Sequence, residues 1–333
     1  MKKFILLILL VSLLLAGCGG QVVPEMLVPE GDRLVVYTSH KEEVYRPIIR
    51  EFEERTGIWV ELVTGGSNEL LEQLRAEQFD PQADVMFGGG VESLESYRDL
   101  FESVQCADYD QIPAALREPE DTWTPFSALP VVLIYNTMLV DPADLTGWED
   151  LAKPEFYGEI AFAAPTKSAS SFTAVATVLQ GCGQELTEAI ARNLAGQQLD
   201  SSGQVLTQVA GGEKLVGVTL EETALQRIAA GDNLALVYPR EGTSCVPDGT
   251  AVLLGAPHRD SALKFLDFTL SRAVQEMLGS RFYRRSVRQD VTVSDTLPGM
   301  DALKLVDYDI PWASRSRSKI LEMWREAVEE GAQ

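Results

Sequence analysis

The chain has 333 residues, 28 basic and 50 acidic, for a formal net charge of −22. A field of that sign repels phosphodiester backbones and anionic headgroups, which excludes electrostatic binding to nucleic acid or lipid. At about 150 residues per domain the length suits two lobes, and a hydrophobic share of 45% is that of a globular chain.

The chain opens on Met1-Lys2-Lys3 and an apolar run over residues 4–16. That run falls short of the roughly 20 residues a spanning helix needs, but it suits a signal-peptide core. Leu15-Ala16-Gly17-Cys18 follows and resembles the bacterial lipobox, in which the cysteine is lipidated and becomes the mature first residue. Residues 1–17 are therefore expected to be a lipoprotein signal peptide, Cys18 the lipidation site, and residues 18–31 a tether punctuated by Pro24 and Pro29. Loss of Lys2 and Lys3 with the leader takes the net charge to −24. The folded part is expected outside the cytoplasmic membrane, held there by the lipid alone. Of the other cysteines, Cys106, Cys182 and Cys245, none has CxxC spacing or a histidine nearby, so a metal cluster is not expected. An extracytoplasmic site permits a disulfide; Cys182 with Cys245 is the pairing to test first, since both fall in one lobe.

Beyond the tether, strands and helices alternate. Residues 34–37 read as a strand. Residues 41–56 read as a helix with Val44, Ile48, Ile49 and Phe52 on one face, Pro47 as an irregularity and Gly57 as the stop. Strand 58–63, helix 68–77, strand 83–87 and helix 91–100 follow, the last after Gly88-Gly89-Gly90. A second set comprises strands 130–135 and 159–163, helices 170–180 and 185–194, strand 215–219, helix 221–230 and strand 234–238. Residues 251–254 are apolar again, 260–270 read as a helix, and 313–329 form an amphipathic C-terminal stretch. The pattern predicts an α/β fold of two lobes, each a mixed or parallel sheet flanked by helices. Residues 125–136 are extended, apolar and proline-punctuated, as a strand crossing between lobes would be, and 234–254 offer a return. Two crossings make a hinge and a cleft.

Val36-Tyr37-Thr38-Ser39-His40-Lys41-Glu42, FEERTG over 52–57, Ala83-Asp84-Val85-Met86-Phe87 and Gly147-Trp148-Glu149-Asp150-Leu151, with Pro154 and Gly158, resemble in order and spacing the ferric-ion-binding type of extracytoplasmic solute-binding proteins. The resemblance spans essentially the whole mature chain. It implies the type II periplasmic-binding-protein fold and a monomeric receptor that hands a solute to an ABC permease and its ATPase. It also implies a first lobe of residues 32–128 plus 249–300, a second of 129–248, and a C-terminal helical segment, 301–333, packing across both. The group takes ferric iron with a synergistic anion, and includes binders of phosphonates and sugar phosphates, so the residues must decide.

Ser39 and His40 follow the first strand, at the carboxyl end where open α/β sheets present their crevice, and His40 matches an iron-ligating histidine in ferric relatives. In Ser67-Asn68-Glu69, between a strand and a helix, Glu69 matches a carboxylate ligand of those relatives; the plainer role of the three is to cap the helix and complement its dipole. Ser168-Ala169-Ser170-Ser171 opens a helix after Thr166-Lys167, which gathers amides and hydroxyls as an anion requires; one serine would suffice as a cap. Glu221 and Glu222 stand where ferric relatives carry adjacent tyrosines. Carboxylates are hard donors, but they equally accept an ammonium or complement a helix start. Tyr238 lies near the crevice, as do Tyr37 and Tyr135, and Arg240 either meets a ligand or pairs with Glu241. His258 precedes a helix and reads as a surface or capping residue.

Two cargo readings follow. In one, His40, Glu69 and Glu221 or Glu222 hold ferric iron, with phosphate or carbonate on the serine-rich helix start. In the other, a phosphonate, sugar phosphate or other phosphorylated metabolite sits on residues 168–171 and the glutamates bind its amine or hydroxyls. Enzyme activity is not expected. The chain lacks a G-x-S-x-G elbow, a P-loop and an HExxH motif, and Glu221 and Glu222, consecutive on a helix, diverge by about 100°. A chemoreceptor partner, an adhesin or an extracytoplasmic hydrolase are the less favoured alternatives.

Overall fold

Leu34 and Val36 belong to one apolar cluster and Val35 and Tyr37 to another, on opposite faces of the first strand. A strand covered on both faces needs no polar alternation, which accounts for the unbroken LVVY. The computed structural model describes residues 33–292 and 297–333, so the leader, Cys18 and the tether lie outside the described residues. The strands among them are Arg33–Thr38 (β1), Trp59–Thr64 (β2), Val85–Gly90 (β3), Thr124–Asn136 (β4), Ile160–Ala161 (β5), Val216–Leu220 (β6), Leu234–Val237 (β7), Cys245–Val252 (β8) and Arg285–Ser286 (β9). No helix among the described residues is long and apolar enough to cross a membrane.

The first sheet runs β2-β1-β3-β8-β4. The pairs β1–β2 and β1–β3 are parallel, and β8 is antiparallel to both β3 and β4. The short β9 lies along β4 at Ser127 and Ala128. The second sheet takes over the far half of β4: residues 131–136 pair antiparallel with β6 and β7, and β5 lies parallel to β6. One 13-residue strand thus serves both sheets. Val131, Leu133 and Tyr135 enter one core of the second lobe, and Val132 and Ile134 the other. The return runs beside it: the Val131 amide donates to the Ser244 carbonyl and the Thr243 hydroxyl to the Val131 carbonyl. These two adjacent crossings are the hinge.

Helix Glu42–Thr56 buries Val44, Ile48, Ile49 and Phe52 and runs through Pro47. It stops where Gly57, at φ 72°, donates its amide to the Glu53 carbonyl, a left-handed turn that glycine adopts without a Cβ penalty. The helix expected over 91–100 is a six-residue helix, Val91–Ser96, followed by a single 3-10 turn, Arg98–Leu100. The expected strand 159–163 contracts to Ile160–Ala161. After it, helix Ala169–Cys182 buries its residues from Ser171 to Val178. Near the C-terminus, Ile310 packs on the first lobe, whereas Ala313, Ile320, Trp324, Ala327 and Val328 sit in the core of the second. Tyr308 touches both cores.

Cys106, Cys182 and Cys245 are all free thiols, so the expected Cys182–Cys245 disulfide is not formed. Cys245 instead sets its Sγ 3.8 Å from the Met300 Sδ. Burial pushes the Cys106 and Cys245 thiols up, to about 11 and about 12.

Candidate functional site

A cavity of about 150 Å³ opens between the lobes. Ser39 and His40, just past β1, reach it from the first lobe, together with Ser67 at a helix start, Gly89 and Gly90 at the end of β3, and Glu92 in the helix Val91–Ser96 that follows. The second lobe contributes Ala169, Ser170 and Thr173 of helix Ala169–Cys182, and Leu220 at the end of β6. Asp248 on the return strand and Arg284 complete the lining. Strand carboxyl ends and helix starts from both lobes thus converge here, as in open α/β sheets generally.

Helix Ser67–Ala76 makes its first internal bond from Leu70 to the Gly66 carbonyl, so the amides of Ser67, Asn68 and Glu69 have no helical acceptor. In the facing helix, Phe172 bonds the Ser168 carbonyl and the Ser171 amide bonds the Ser168 Oγ at 3.3 Å. Ser168 is therefore the cap. Ala169 and Ser170 line the cavity, their amides without a helical acceptor and the Ser170 hydroxyl 3.1 Å from the Ser168 Oγ, and Ser171 is buried. Lys167, expected beside the anion loop, is turned to the exposed Asp200 instead.

His40 is packed against Phe87 and Phe126, with ring centroids 4.5 and 5.2 Å away. Burial pushes its imidazole down to about 4; Asp248, 3.7 Å from Nδ1, opposes the fall and Arg284 adds to it. The ring is neutral at neutral pH, and its Nε2 is buried without a hydrogen-bond partner among the described residues. Gly88, at φ 98°, leaves it room: a Cβ there would stand 3.0 Å from Nε2.

The other expected metal donors do not gather around His40. Glu69 is exposed and does not line the cavity, and neither does Asn68. Glu221 is fully buried in a two-pronged ion pair with Arg285, Nε to Oε2 and Nη2 to Oε1 both at 2.8 Å, and it also accepts the Tyr238 hydroxyl. Both partners are sealed from solvent, so Glu221 and Tyr238 are tied to the hinge and withheld from a ligand. Burial, and then the Glu221 carboxylate, raise the Tyr238 hydroxyl well above its ordinary value. Glu222 accepts from Thr223 at 3.0 Å and Gln226 at 3.1 Å, and faces Arg284 at 3.5 Å. Tyr37 donates to Glu77, and Tyr135 is a core residue. Among the described residues no group of three or more His, Cys, Asp and Glu is placed to hold a metal ion. Arg240 binds Thr146 and Glu149 at the surface, and His258 holds the buried Asp84 through its amide at 2.6 Å and its Nδ1 at 2.9 Å.

The three carboxylate and guanidinium residues of the cavity wall, Asp248, Arg284 and Glu92, were not singled out in the sequence. Asp248 accepts the Ser127 amide at 2.9 Å and hydroxyl at 2.7 Å, and Arg284 Nη1 at 2.5 Å. These bonds tie β8, β4 and the segment after helix Arg272–Phe282 into one buried polar knot beside His40. The only hint in the sequence is Arg284-Arg285, two adjacent arginines in a strongly acidic chain. Glu92, at 3% exposure, reaches across the lobes to Thr173 and Tyr308.

Residues 34–284 match the model of the bacterial extracellular solute-binding protein family. The chain belongs to that family. It is 26% identical to iron uptake protein A1 of Synechocystis over 88% of this chain and 87% of that protein. It is 24% identical to a putative 2-aminoethylphosphonate-binding periplasmic protein of Salmonella typhimurium, over 73% of this chain and 74% of the other. The structure of the periplasmic binding protein AfuA from Actinobacillus pleuropneumoniae, solved with fructose 6-phosphate, superposes with a TM-score of 0.81 at 26% identity, covering 89% of this chain and 98% of that one. The solute-binding protein therefore has the type II periplasmic-binding fold, with β4 and the return to β8 as its two crossings and the cavity as its interlobe cleft.

Proposed function

We propose that this solute-binding protein is a lipoprotein, anchored through Cys18 outside the cytoplasmic membrane, that captures a small organic anion of the phosphonate or phosphate-ester class and presents it to an ABC permease and its ATPase. The observation that supports the cargo reading is the wall chemistry: Ser39, Ser67 and Ser170 line one cavity, and Ser67 and Ser170 stand at two helix starts whose first amides have no helical acceptor, an arrangement that suits a tetrahedral oxyanion without a metal. Of the four donors expected for ferric iron, only His40 reaches the cavity, while Glu221 and Glu222 are held by Arg285 and Arg284. The relatives support both cargoes by name, so the reading rests on geometry. No catalytic role is proposed. Cys106 is buried and Cys245 half-buried, and burial raises both thiols; His40 is packed between rings with no hydroxyl or thiol bonded to its Nε2 among the described residues.

Calorimetry on metal-stripped protein tests this. Heat on adding phosphonates or small phosphate esters, and none on adding ferric citrate with carbonate, is the expected result; tight ferric binding in the absence of any phosphonate response would refute the reading. Intact mass and membrane partition of the native protein test the anchor: a diacylglyceryl mass on a chain beginning at Cys18 is expected, and a soluble, unmodified chain would refute it.

A further inference from the structure

The tryptophan and the phenylalanine that are exposed among the described residues, Trp59 at 56% and Phe79 at 93%, stand at one end of the first lobe. Trp59 opens β2 and lies opposite Arg33, the first described residue, across the β1–β2 pair. Phe79 lies in the turn after helix Ser67–Ala76, whose other end is at the cleft. The chain then enters β3 past Asp84, whose amide donates to the Val35 carbonyl near the start of β1. There β8 leaves the sheet: the Leu253 amide donates to the Asp84 carbonyl and Leu254 follows at 50% exposure. A Cβ on Gly255 would stand 3.6 Å from Pro81 Cγ, which brings this exit beside the turn that holds Phe79. The carboxyl end of β1 leads to Ser39 and His40 in the cleft, so Trp59, Phe79 and Leu254 occupy the opposite pole of the lobe.

Resting on the lipid-anchor reading above, we infer that this pole is a membrane-facing surface, with Trp59, Phe79 and Leu254 seated at the interface of the bilayer that holds the anchor. Fourteen residues separate Cys18 from Arg33, a length that spans at most about 50 Å. They join the fold beside Trp59, so this pole is the part of the lobe that the anchor reaches first. Tryptophan and phenylalanine suit such a boundary, where an aromatic ring sits between headgroups and acyl chains. Three side chains would hold a free protein only weakly. A lipidated one meets the surface at an effective concentration in the millimolar range, where a weak contact is occupied. Charge selects the surface: the net charge is −22, Arg33 is paired with Glu61, and Asp80 is exposed. A zwitterionic surface is therefore favoured over an anionic one. With the pole down, the six residues of β1, at about 3.3 Å each, lift the cleft about 20 Å off the contact and leave it open to solute.

The test reconstitutes the native lipidated protein in phosphatidylcholine vesicles, with and without bromine in the acyl chains, and reads tryptophan emission. Trp123, Trp148 and Trp324 are buried and Trp312 is half-buried, so short-range quenching by the bromines reports Trp59 first. Brominated lipid is expected to lower the wild-type emission, and Trp59→Phe to abolish that loss. Phe79→Ser combined with Leu254→Ser should reduce it by about threefold or more with every tryptophan in place. Replacing half of the lipid by phosphatidylglycerol is expected to weaken the quenching; stronger quenching there would make the contact electrostatic and overturn the inference. Absence of quenching in wild-type protein that floats with the vesicles, or quenching that survives Trp59→Phe, would overturn the assignment of this pole while leaving the anchor in place. Protein that does not float with vesicles would overturn the anchor, and this inference with it. The wild-type measurement decides even should a variant fail to fold.

Discussion

Replacing Glu221 by alanine separates a hinge role from a ligand role at the position where the ferric relatives carry tyrosine. The substitution leaves the Arg285 guanidinium, wholly sealed from solvent, with the Pro298 carbonyl and the Tyr238 hydroxyl as its described partners. It also strips the Tyr238 hydroxyl of its acceptor. Breaking a buried pair by removing one partner costs about 3–5 kcal/mol. For a folded unit of about 300 residues, the entropy of unfolding is about 0.6 kcal/mol per kelvin, so the melting temperature should fall by about 5–8 °C. Differential scanning calorimetry with and without ligand measures it. Replacing both partners with apolar residues, Glu221→Leu with Arg285→Met, should recover much of the loss, since the pair's desolvation is removed along with its attraction. An unchanged melting temperature in Glu221→Ala, together with lost ligand binding, would refute the reasoning and return Glu221 to the ligand set.

Other expectations follow from single sites. His40 titrates at about 4 in the fold against 6.5 when exposed, so the unfolded chain binds the extra proton first. The stability contributed by the neutral ring, about 3 kcal/mol, is complete above pH 6.5 and is lost as pH falls toward 4. Urea titrations across that range should show this slope, and His40→Gln should flatten it. Ser67→Ala and Ser170→Ala should each weaken the ligand by about tenfold while leaving the melting temperature within about 1 °C; unchanged affinity in both would remove the hydroxyls from the site. In Gly88→Ala, the φ of 98° and a Cβ 3.0 Å from His40 Nε2 should cost about 1–3 kcal/mol and disturb the cleft, as melting and ligand titration together would reveal. In native protein, a maleimide should label Cys182 ahead of the buried Cys106 and of Cys245, whose thiol burial pushes up to about 12, and reductant should not lower the melting temperature; a reductant-sensitive melt would point to a disulfide.

Much of the scaffold is visible in the chain because local patterns decide it. The 44-48-49-52 stripe closed by Gly57, the unbroken apolar strands, and the proline-punctuated 125–136 stretch each require the element they form. Helices Ser202–Gly211 and Arg272–Phe282 are harder to read, the first because glycines at both ends and polar residues between weaken its periodicity. At the cleft, the serine-rich starts at 67 and 168–171 are legible because a helix start needs hydroxyls and leaves amides free. What the sequence cannot display is pairing across more than 60 residues. The removal of Glu221 by Arg285, and the meeting of Ser127, Asp248 and Arg284 beside His40, depend on how the two crossings bring β4, β8 and the segment after Phe282 together. Glu92 is hidden for the same reason: at a helix start an acid is favoured on dipole grounds alone, and only the fold brings it to the distant hydroxyls of Thr173 and Tyr308.

The central claim is that the cleft takes an organic anion in place of a metal. It is tested most directly by equilibrating stripped protein with a mixture of ferric citrate and 2-aminoethylphosphonate, desalting it, and measuring iron and phosphorus in the protein by elemental mass spectrometry. Near-stoichiometric phosphorus without iron is the predicted result. Near-stoichiometric iron, with or without phosphorus, would contradict it.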